Sequence, residues 1–383
     1  MTEPAGPAPS ADDTVRPEVL ALLQAASDER GFVPFDRFME IALYGEGVGF
    51  YTRAKSPFGT EGDYYTAAHA TPLFGAAIAE RFRGVGRATP RTSPFRVLEL
   101  GPGDGTLGST VISRLASDAD LKDRLEYILV DRSPTLAQRA YDRIRAVGET
   151  VGVPVRVAAS VGAQGPFHGV VLANELLDAQ PTRRLVWDGR RWLEMGIRIT
   201  SEGIGRTTVP CTRVVPAPDL PAGLPEGTVV EFSPVAEAIV REVADHLASG
   251  LFLVLDYGMD ERELVTAHPS GTLAGVRRHR FVDDPVAIPG SSDLSVFVNF
   301  TRVRAAAAAA GWMELSYRRQ AEALGEWGFP RLFEAAIRAA PSAESEVRIR
   351  LSAKNLLFGF ERFQVLELAP SGTLAGAAVT GPT

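Results

Sequence analysis

Acidic and amide side chains stand at the ends of three apolar runs in this chain, where their spacing could do chemistry. Glu99 ends the run Phe95–Leu100 just before Gly101-Pro102-Gly103-Asp104-Gly105-Thr106-Leu107. Phe95, Val97, Leu98 and Leu100 read as a buried strand, and Gly101 supplies the backbone freedom of a sharp turn. Gly103, without a side chain, lets a ligand lie against the main chain, and Gly105 is expected to let the next helix pack close to the sheet. That helix start leaves unpaired N–H groups and the positive end of a dipole facing the turn. A dinucleotide fingerprint needs G-x-G-x-x-G, but Thr106 occupies the third glycine position. The pattern is Glu-x-Gly-x-Gly-x-Gly, which suits a ligand with no phosphates. S-adenosylmethionine fits: its α-carboxylate matches backbone N–H groups and its α-ammonium matches Glu99.

The second run, Leu125–Val130, ends in Asp131. A carboxylate there has two fixed oxygens for ribose hydroxyls, or caps the following helix, and both roles are compatible. Adenine is expected near Ala158, Ala159 and Ser160 from their position alone. The third run, Gly169–Ala173, leads into Asn174, Glu175 and Asp178. In an open parallel sheet the ligand crevice lies beyond the carboxyl ends of the strands, so these three are expected beside the acceptor and carry its catalysis. The expected donor-binding residues are Glu99, Gly101, Pro102, Gly103, Gly105, Thr106, Asp131, Asn174 and Thr66. The expected acceptor-side residues are Tyr64, Tyr65, His69, Phe297, Asn299 and Phe300.

The elements that must position these groups are those of an α/β chain with a mostly parallel sheet. Helical spacing covers Pro17–Ala26 and about Phe35–Tyr44, and Leu73, Phe74, Ala77, Ile78 and Phe82 form the apolar face of another helix. Residues 15–90 are expected to form either a helical lid over the glycine turn or a buttress. A catalytic domain is expected over 91–368, with insertions at about 183–230 and 257–300, and with disordered tails at 1–14 and 369–383. Strands are expected at Leu125–Val130, Val153–Val157, Gly169–Ala173 and Leu251–Leu255. Arg184–Trp187 and Arg190–Met195 around Asp188-Gly189 read as a hairpin. Val235–Leu247, Thr301–Ala310 and Pro330–Ala339 read as helices, and Val347–Leu351 with Phe363–Leu368 as closing strands. The tract Gly271–Phe300 is long for a loop and holds Arg277, Arg278, His279 and Arg280.

Composition sets outer bounds. The chain has 383 residues, 45% of them hydrophobic, enough for a large α/β domain with insertions or for two domains. A net charge of -7 argues against nonspecific nucleic-acid binding. Cys211 is the only cysteine, so no intrachain disulfide can form and a reducing compartment fits. The five histidines lack metal-ligand spacing, and no metal is expected. There is no apolar run of membrane-spanning length and no signal-like N-terminus, so the expected location is cytoplasmic, with no membrane partner and a homodimer left open.

These stretches together resemble the MidA-type S-adenosylmethionine-dependent methyltransferases, which include mitochondrial arginine methyltransferases that assist complex I assembly. The resemblance runs from about Phe38 to Leu366. It rests on Phe38-Met39, Ala42-Leu43-Tyr44, Gly62-Asp63-Tyr64-Tyr65-Thr66, Glu99-Leu100-Gly101-Pro102-Gly103 and Ala173-Asn174-Glu175, then Asp178-Ala179, Asp256-Tyr257-Gly258, Gly271-Thr272-Leu273 and Arg362-Phe363. It implies a class I methyltransferase (Rossmann-like) fold, S-adenosyl-L-methionine as donor with S-adenosyl-L-homocysteine as product, and an acceptor pocket at Asn174–Asp178. The departures fall on the acceptor side. Ala68-His69 stand where the family has Pro and an acidic residue or His, Arg183 stands where many members have His, and Phe297-Val298-Asn299-Phe300 replaces His-Val-Asp-Phe. The acceptor is therefore either a protein arginine, with Glu175 and Asp178 as clamp and base, or a small heteroaromatic metabolite against an aromatic wall. A non-catalytic assembly factor that keeps the donor pocket is the alternative.

Overall fold

The computed structural model describes residues 14–53, 67–201, 203–212, 220–221 and 223–372. An eight-stranded sheet carries the site. From one edge its strands run Trp312–Arg319, Phe363–Pro370, Leu247–Met259, Phe167–Asn174, Phe95–Leu100, Leu125–Val130 and Val155–Ala158, with the short Val298–Asn299 joining Leu247–Met259. The strands from Leu247–Met259 to Val155–Ala158 are parallel, and Phe363–Pro370 enters antiparallel to both neighbours. Register places Leu98 opposite both Ile128 and Val171.

Side-chain alternation along these strands builds two cores, one on each face. Val97, Tyr127, Val170, Leu172 and Leu253 pack with the helices Pro72–Ala88, Thr106–Ala116 and Pro134–Val151. Leu98, Ile128, Val171, Ala173 and Val254 pack with Pro234–His246 and Phe300–Ala309. The helices start where their side chains can cap them: Thr71, Ser133, Ser233 and Asn299 each accept a backbone N–H of the first turn.

A second, antiparallel sheet of five strands stands at the carboxyl end of the parallel one. Its hairpin Arg183–Trp187 and Trp192–Thr200 turns at Asp188-Gly189, flanked by Val229–Phe232 and Gly203–Pro210. Phe32–Pro34, from the beginning of the chain, adds its other edge strand. A three-stranded sheet of Ala274–Arg277, Arg280–Phe281 and Asp293–Ser295 occupies the expected long loop.

Two expectations change. Val347–Leu351 is no strand: it lies inside the helix Ala343–Phe358. Val347, Ile349 and Leu351 alternate as a strand would, but Ser342 caps the segment, and the Glu344–Arg348 and Glu346–Arg350 pairs reward helical spacing. The second closing strand is Trp312–Arg319, whose polar Glu314, Arg318 and Arg319 hide its edge position. No helix among the described residues is long and apolar enough to cross a membrane.

Candidate active site

A cavity of about 290 Å³ opens beyond the carboxyl ends of the parallel strands. Its floor is the glycine turn, where Gly101, Gly103 and Gly105 hold φ of 62°, 58° and 82°, a conformation side chains disfavour. Gly101, Pro102, Gly103 and Asp104 line it together with Glu99. Gly105 does not pack against the sheet as expected. A β-carbon there would meet the Ala140 carbonyl oxygen at 2.9 Å, so its bareness serves contact with the helix Pro134–Val151. Close approach to the strand depends on Gly108 instead. A β-carbon at Gly108 would lie 2.5 Å from Glu99 Oε2 and 3.0 Å from the Tyr127 hydroxyl oxygen.

Glu99 is buried and accepts a hydrogen bond from the Tyr127 hydroxyl at 2.8 Å. Burial raises its pKa to about 8, against the opposing effect of that bond. A carboxyl placed here suits an ammonium group once it has lost its proton. Thr106 turns its hydroxyl to Asp104 at 3.0 Å and does not line the cavity. Asp104 also faces His69 at 3.3 Å and Arg143 at 3.2 Å. Burial pushes Asp104 up, but the hydrogen bonds from His69 and Thr106 outweigh it and hold the carboxyl at about 2.

Asp131 lines the cavity and accepts the Ser133 N–H at 2.7 Å. Ser133, not Asp131, caps the next helix. Burial raises Asp131 to about 6. Ala159 and Ser160 line the wall as expected, Ala158 does not, and Val161 completes it. Val235, Ile239 and Glu242 of the helix Pro234–His246 close the far side, and Tyr44, Tyr51, Arg132 and Gln180 cover it. Tyr44 and Tyr51 stack at 5.5 Å, and the Arg132 guanidinium lies 4.2 Å from the Tyr44 ring centre. Of these, Tyr44 stood in the sequence only within a stretch that carries the family resemblance, and Arg132, Gln180, Val235, Ile239 and Glu242 meet the cavity through tertiary packing.

Asn174 and Glu175 reach the cavity from the strand Phe167–Asn174. Glu175 holds φ of 49°, rare for a side-chain-bearing residue. Its Oε1 accepts the Ala67 N–H at 3.1 Å, and burial raises its pKa to about 8. Asn174 Oδ1 is buried with no hydrogen-bond partner among the described residues. Behind Glu175, Asp256 Oδ2 accepts the N–H groups of Leu176, Leu177 and Asp178 at 3.1, 2.8 and 3.3 Å. Asp178 is buried and does not line the cavity; burial raises it to about 6, and the Tyr257 hydroxyl bonds to it. Burial and neighbouring Asp178 drive Asp256 well above the usual carboxylate range.

The expected aromatic wall is dispersed. Phe300 is fully buried in the core beside Tyr317, and Asn299 caps its helix and donates to the Glu231 carbonyl at 3.2 Å. Phe297 packs against Tyr257 and His268. None of the three lines the cavity: Val298–Asn299 pairs with the sheet, which buries Asn299 and Phe300 and leaves Phe297 half-buried away from it. Tyr64, Tyr65 and Thr66 lie outside the described residues. His69 does line the cavity, at the end nearest Asp104.

Comparison with known proteins bears on this geometry. Residues 73–317 match the model of a family described as S-adenosyl-L-methionine-dependent methyltransferases. The chain is 27% identical over 305 residues to the protein arginine methyltransferase NDUFAF7 homolog, mitochondrial, of Drosophila melanogaster, covering 74% of this chain and 68% of the relative. It is 25% identical over 322 residues to protein arginine methyltransferase NDUFAF7, mitochondrial, of Mus musculus, covering 78% and 71%. A crystal structure from Burkholderia thailandensis bound to S-adenosyl-homocysteine superposes with a TM-score of 0.83 at 29% identity, covering 98% of this chain and 97% of that one.

Proposed function

This chain belongs to the S-adenosyl-L-methionine-dependent methyltransferase family, and from that premise we propose that it methylates an arginine guanidinium of a polypeptide. The fit of the donor to the cavity is supported by three features: the bare glycine turn, the buried Glu99 carboxyl, and the ribose-height Asp131. Glu99 would hold the α-ammonium, the turn the α-carboxylate, and Asp131 the ribose hydroxyls, with Val161, Val235 and Ile239 as an apolar slot for the base. Bound there, S-adenosylmethionine supplies an electrophilic methyl group.

The observation that carries the acceptor reading is the bank of carboxyls at Asn174: Glu175 lines the cavity, and Asp178 and Asp256 are buried behind it. A guanidinium entering there finds an acceptor for its planar fork, and its charge draws Glu175 into the ionised form. Glu175 then orients the terminal nitrogen and takes its proton, and the unpartnered Asn174 Oδ1 accepts a second N–H. Asp178 acts one step behind, holding the Glu175 loop through the shared Asp256 hub. The helix Phe35–Tyr44 and the turn that follows it to Tyr51 serve as a roof that keeps water from this space, with Tyr44 and Tyr51 as its underside. Phe297 and Phe300 do not line the cavity, so the stacking wall expected of them for a heteroaromatic metabolite is not supported. The NDUFAF7 relatives are themselves protein arginine methyltransferases by name, which supports the same acceptor.

The test is to incubate the full-length protein with isotope-labelled donor and arginine-containing peptides, then hydrolyse and separate the amino acids. Label in methylarginine is expected. Absence of label from methylarginine, with label instead in small molecules when a cell extract replaces the peptides, would overturn the reading.

A further inference from the structure

One carboxylate of the cavity wall serves neither the amino-acid end of the donor, nor the ribose, nor the acceptor. It is Glu242, on the helix Pro234–His246. Val235, Ile239 and Glu242 are spaced so that they share one face of that helix, and all three line the cavity. Ala159, Ser160 and Val161, which line the same space after the strand Val155–Ala158, bring no charged side chain. This part of the cavity is therefore an apolar slot with a single carboxylate in its wall. Glu242 Oε1 accepts the Gly162 N–H at 3.1 Å, which ties the helix to the loop after that strand. Oε2 has neither a hydrogen-bond donor nor a cation among the described residues. Its neighbours are engaged elsewhere. His246 Nδ1 meets the Glu242 carbonyl oxygen at 2.8 Å, the Ser160 hydroxyl accepts the Ala163 N–H at 3.2 Å, and Arg241 pairs with Glu237 at 3.7 Å.

A carboxylate can only accept hydrogen bonds. Water can serve its second oxygen while the slot is empty, but a flat base that fills the slot displaces that water and must supply a donor in its place. The ring nitrogens of a nucleoside's adenine only accept, and its exocyclic amine is its one donor. We propose that Glu242 selects the 6-amino group of the adenine, so that the methyl donor is recognised by its base as well as by its amino-acid end. This rests on the placement of the base beside Val161, Val235 and Ile239. The group that discriminates thus comes from a helix 80 residues beyond the loop where adenine was expected. It also defines what the site rejects. Hypoxanthine carries an oxygen where adenine has the amine, and that oxygen would face the carboxylate with no proton between them.

The experiment is calorimetry on the full-length protein with S-adenosylhomocysteine and S-inosylhomocysteine, which differ only at the 6-position of the base and the adjoining N1 proton. The native protein is expected to bind the adenine compound about a hundredfold tighter. Glu242→Gln keeps an oxygen for the Gly162 N–H and turns an amide N–H₂ to the slot, where it can donate to the 6-oxygen of hypoxanthine. It is expected to shrink the preference to less than about tenfold, with S-inosylhomocysteine gaining affinity as S-adenosylhomocysteine loses it. Glu242→Ala removes the tether to Gly162 as well. Were Glu242 only a tether, both variants would weaken the two ligands by one common factor and leave their ratio untouched. Equal affinities in the native protein, or a ratio that survives Glu242→Gln, overturns the proposal while the donor's place in the cavity stands. Failure of both compounds to bind the native protein overturns that place, and the proposal with it.

Discussion

Gly108 shows how a single missing methyl group can govern a charge. Its absent β-carbon gives Glu99 Oε2 the room it occupies, against the Tyr127 hydroxyl. Gly108→Ala should displace that carboxylate at a cost of about 1–3 kcal/mol of overpacking, and weaken S-adenosylhomocysteine binding about tenfold in calorimetry. Unchanged affinity would show that Glu99 does not hold the amino-acid end. Glu99 also sets a pH dependence. Its carboxyl is raised to about 8 in the free protein, so at pH 6 it is neutral and must lose a proton to pair with the ammonium. Product affinity should therefore strengthen between about pH 6 and pH 8, and Glu99→Gln should flatten that slope. Glu175 governs turnover: Glu175→Gln should cut kcat about a hundredfold while the product still binds. In the native enzyme kcat/KM should rise through about pH 8, the ionisation of free Glu175. The glycine turn, Glu99, Asp131 and Glu175 were legible in the sequence because a strand end and a turn are local. Asp178, Asn299 and Phe300 were misplaced because their direction depends on the pairing of distant strands.

Among the elements, the parallel strands could be read directly, since apolar runs are short-range signals, whereas the cap of the helix Pro134–Val151 was expected at Asp131 and is Ser133. The helix Ala343–Phe358 defeated that reading. Its buried Ala353 and Leu356 lie on one face while Val347, Leu351 and Phe358 are exposed, so apolar residues on both sides blur the helical period. Its stability leans on local devices, chiefly the Ser342 cap, whose hydroxyl accepts the Ser345 N–H at 3.2 Å. Ser342→Ala should lower unfolding free energy by about 1 kcal/mol in a denaturant titration, with activity unchanged. A loss several times larger would mean that Ser342 does more than cap.

At the scale of the molecule, five carboxyls at the cavity or directly behind it share one sign of perturbation. Glu99, Asp131, Glu175, Asp178 and Asp256 all hold protons more tightly than an exposed acid does. Folded pKa values above the unfolded ones mean that the folded chain binds more protons between those values. The stabilisation is complete below the unfolded range near pH 4 and drains away as pH rises through about 6 to 8. The ligand-free protein should thus melt at a falling temperature from about pH 5 to pH 8. Saturating S-adenosylhomocysteine should recover part of that loss by pairing Glu99. Differential scanning fluorimetry across that range, with and without product, checks both. A melting temperature that climbs with pH would contradict the burial of these groups in their neutral form.

The strand Phe363–Pro370 lies between Leu247–Met259 and Trp312–Arg319, although it follows both in the chain. While the polypeptide is being synthesised, Trp312–Arg319 leaves the ribosome with its place in the sheet still missing a neighbour. The parallel half can assemble early, but the sheet closes only by late insertion of this segment. Nascent chains stalled before Phe363 should therefore expose an unpaired edge and recruit chaperones, whereas those released after Pro370 should not.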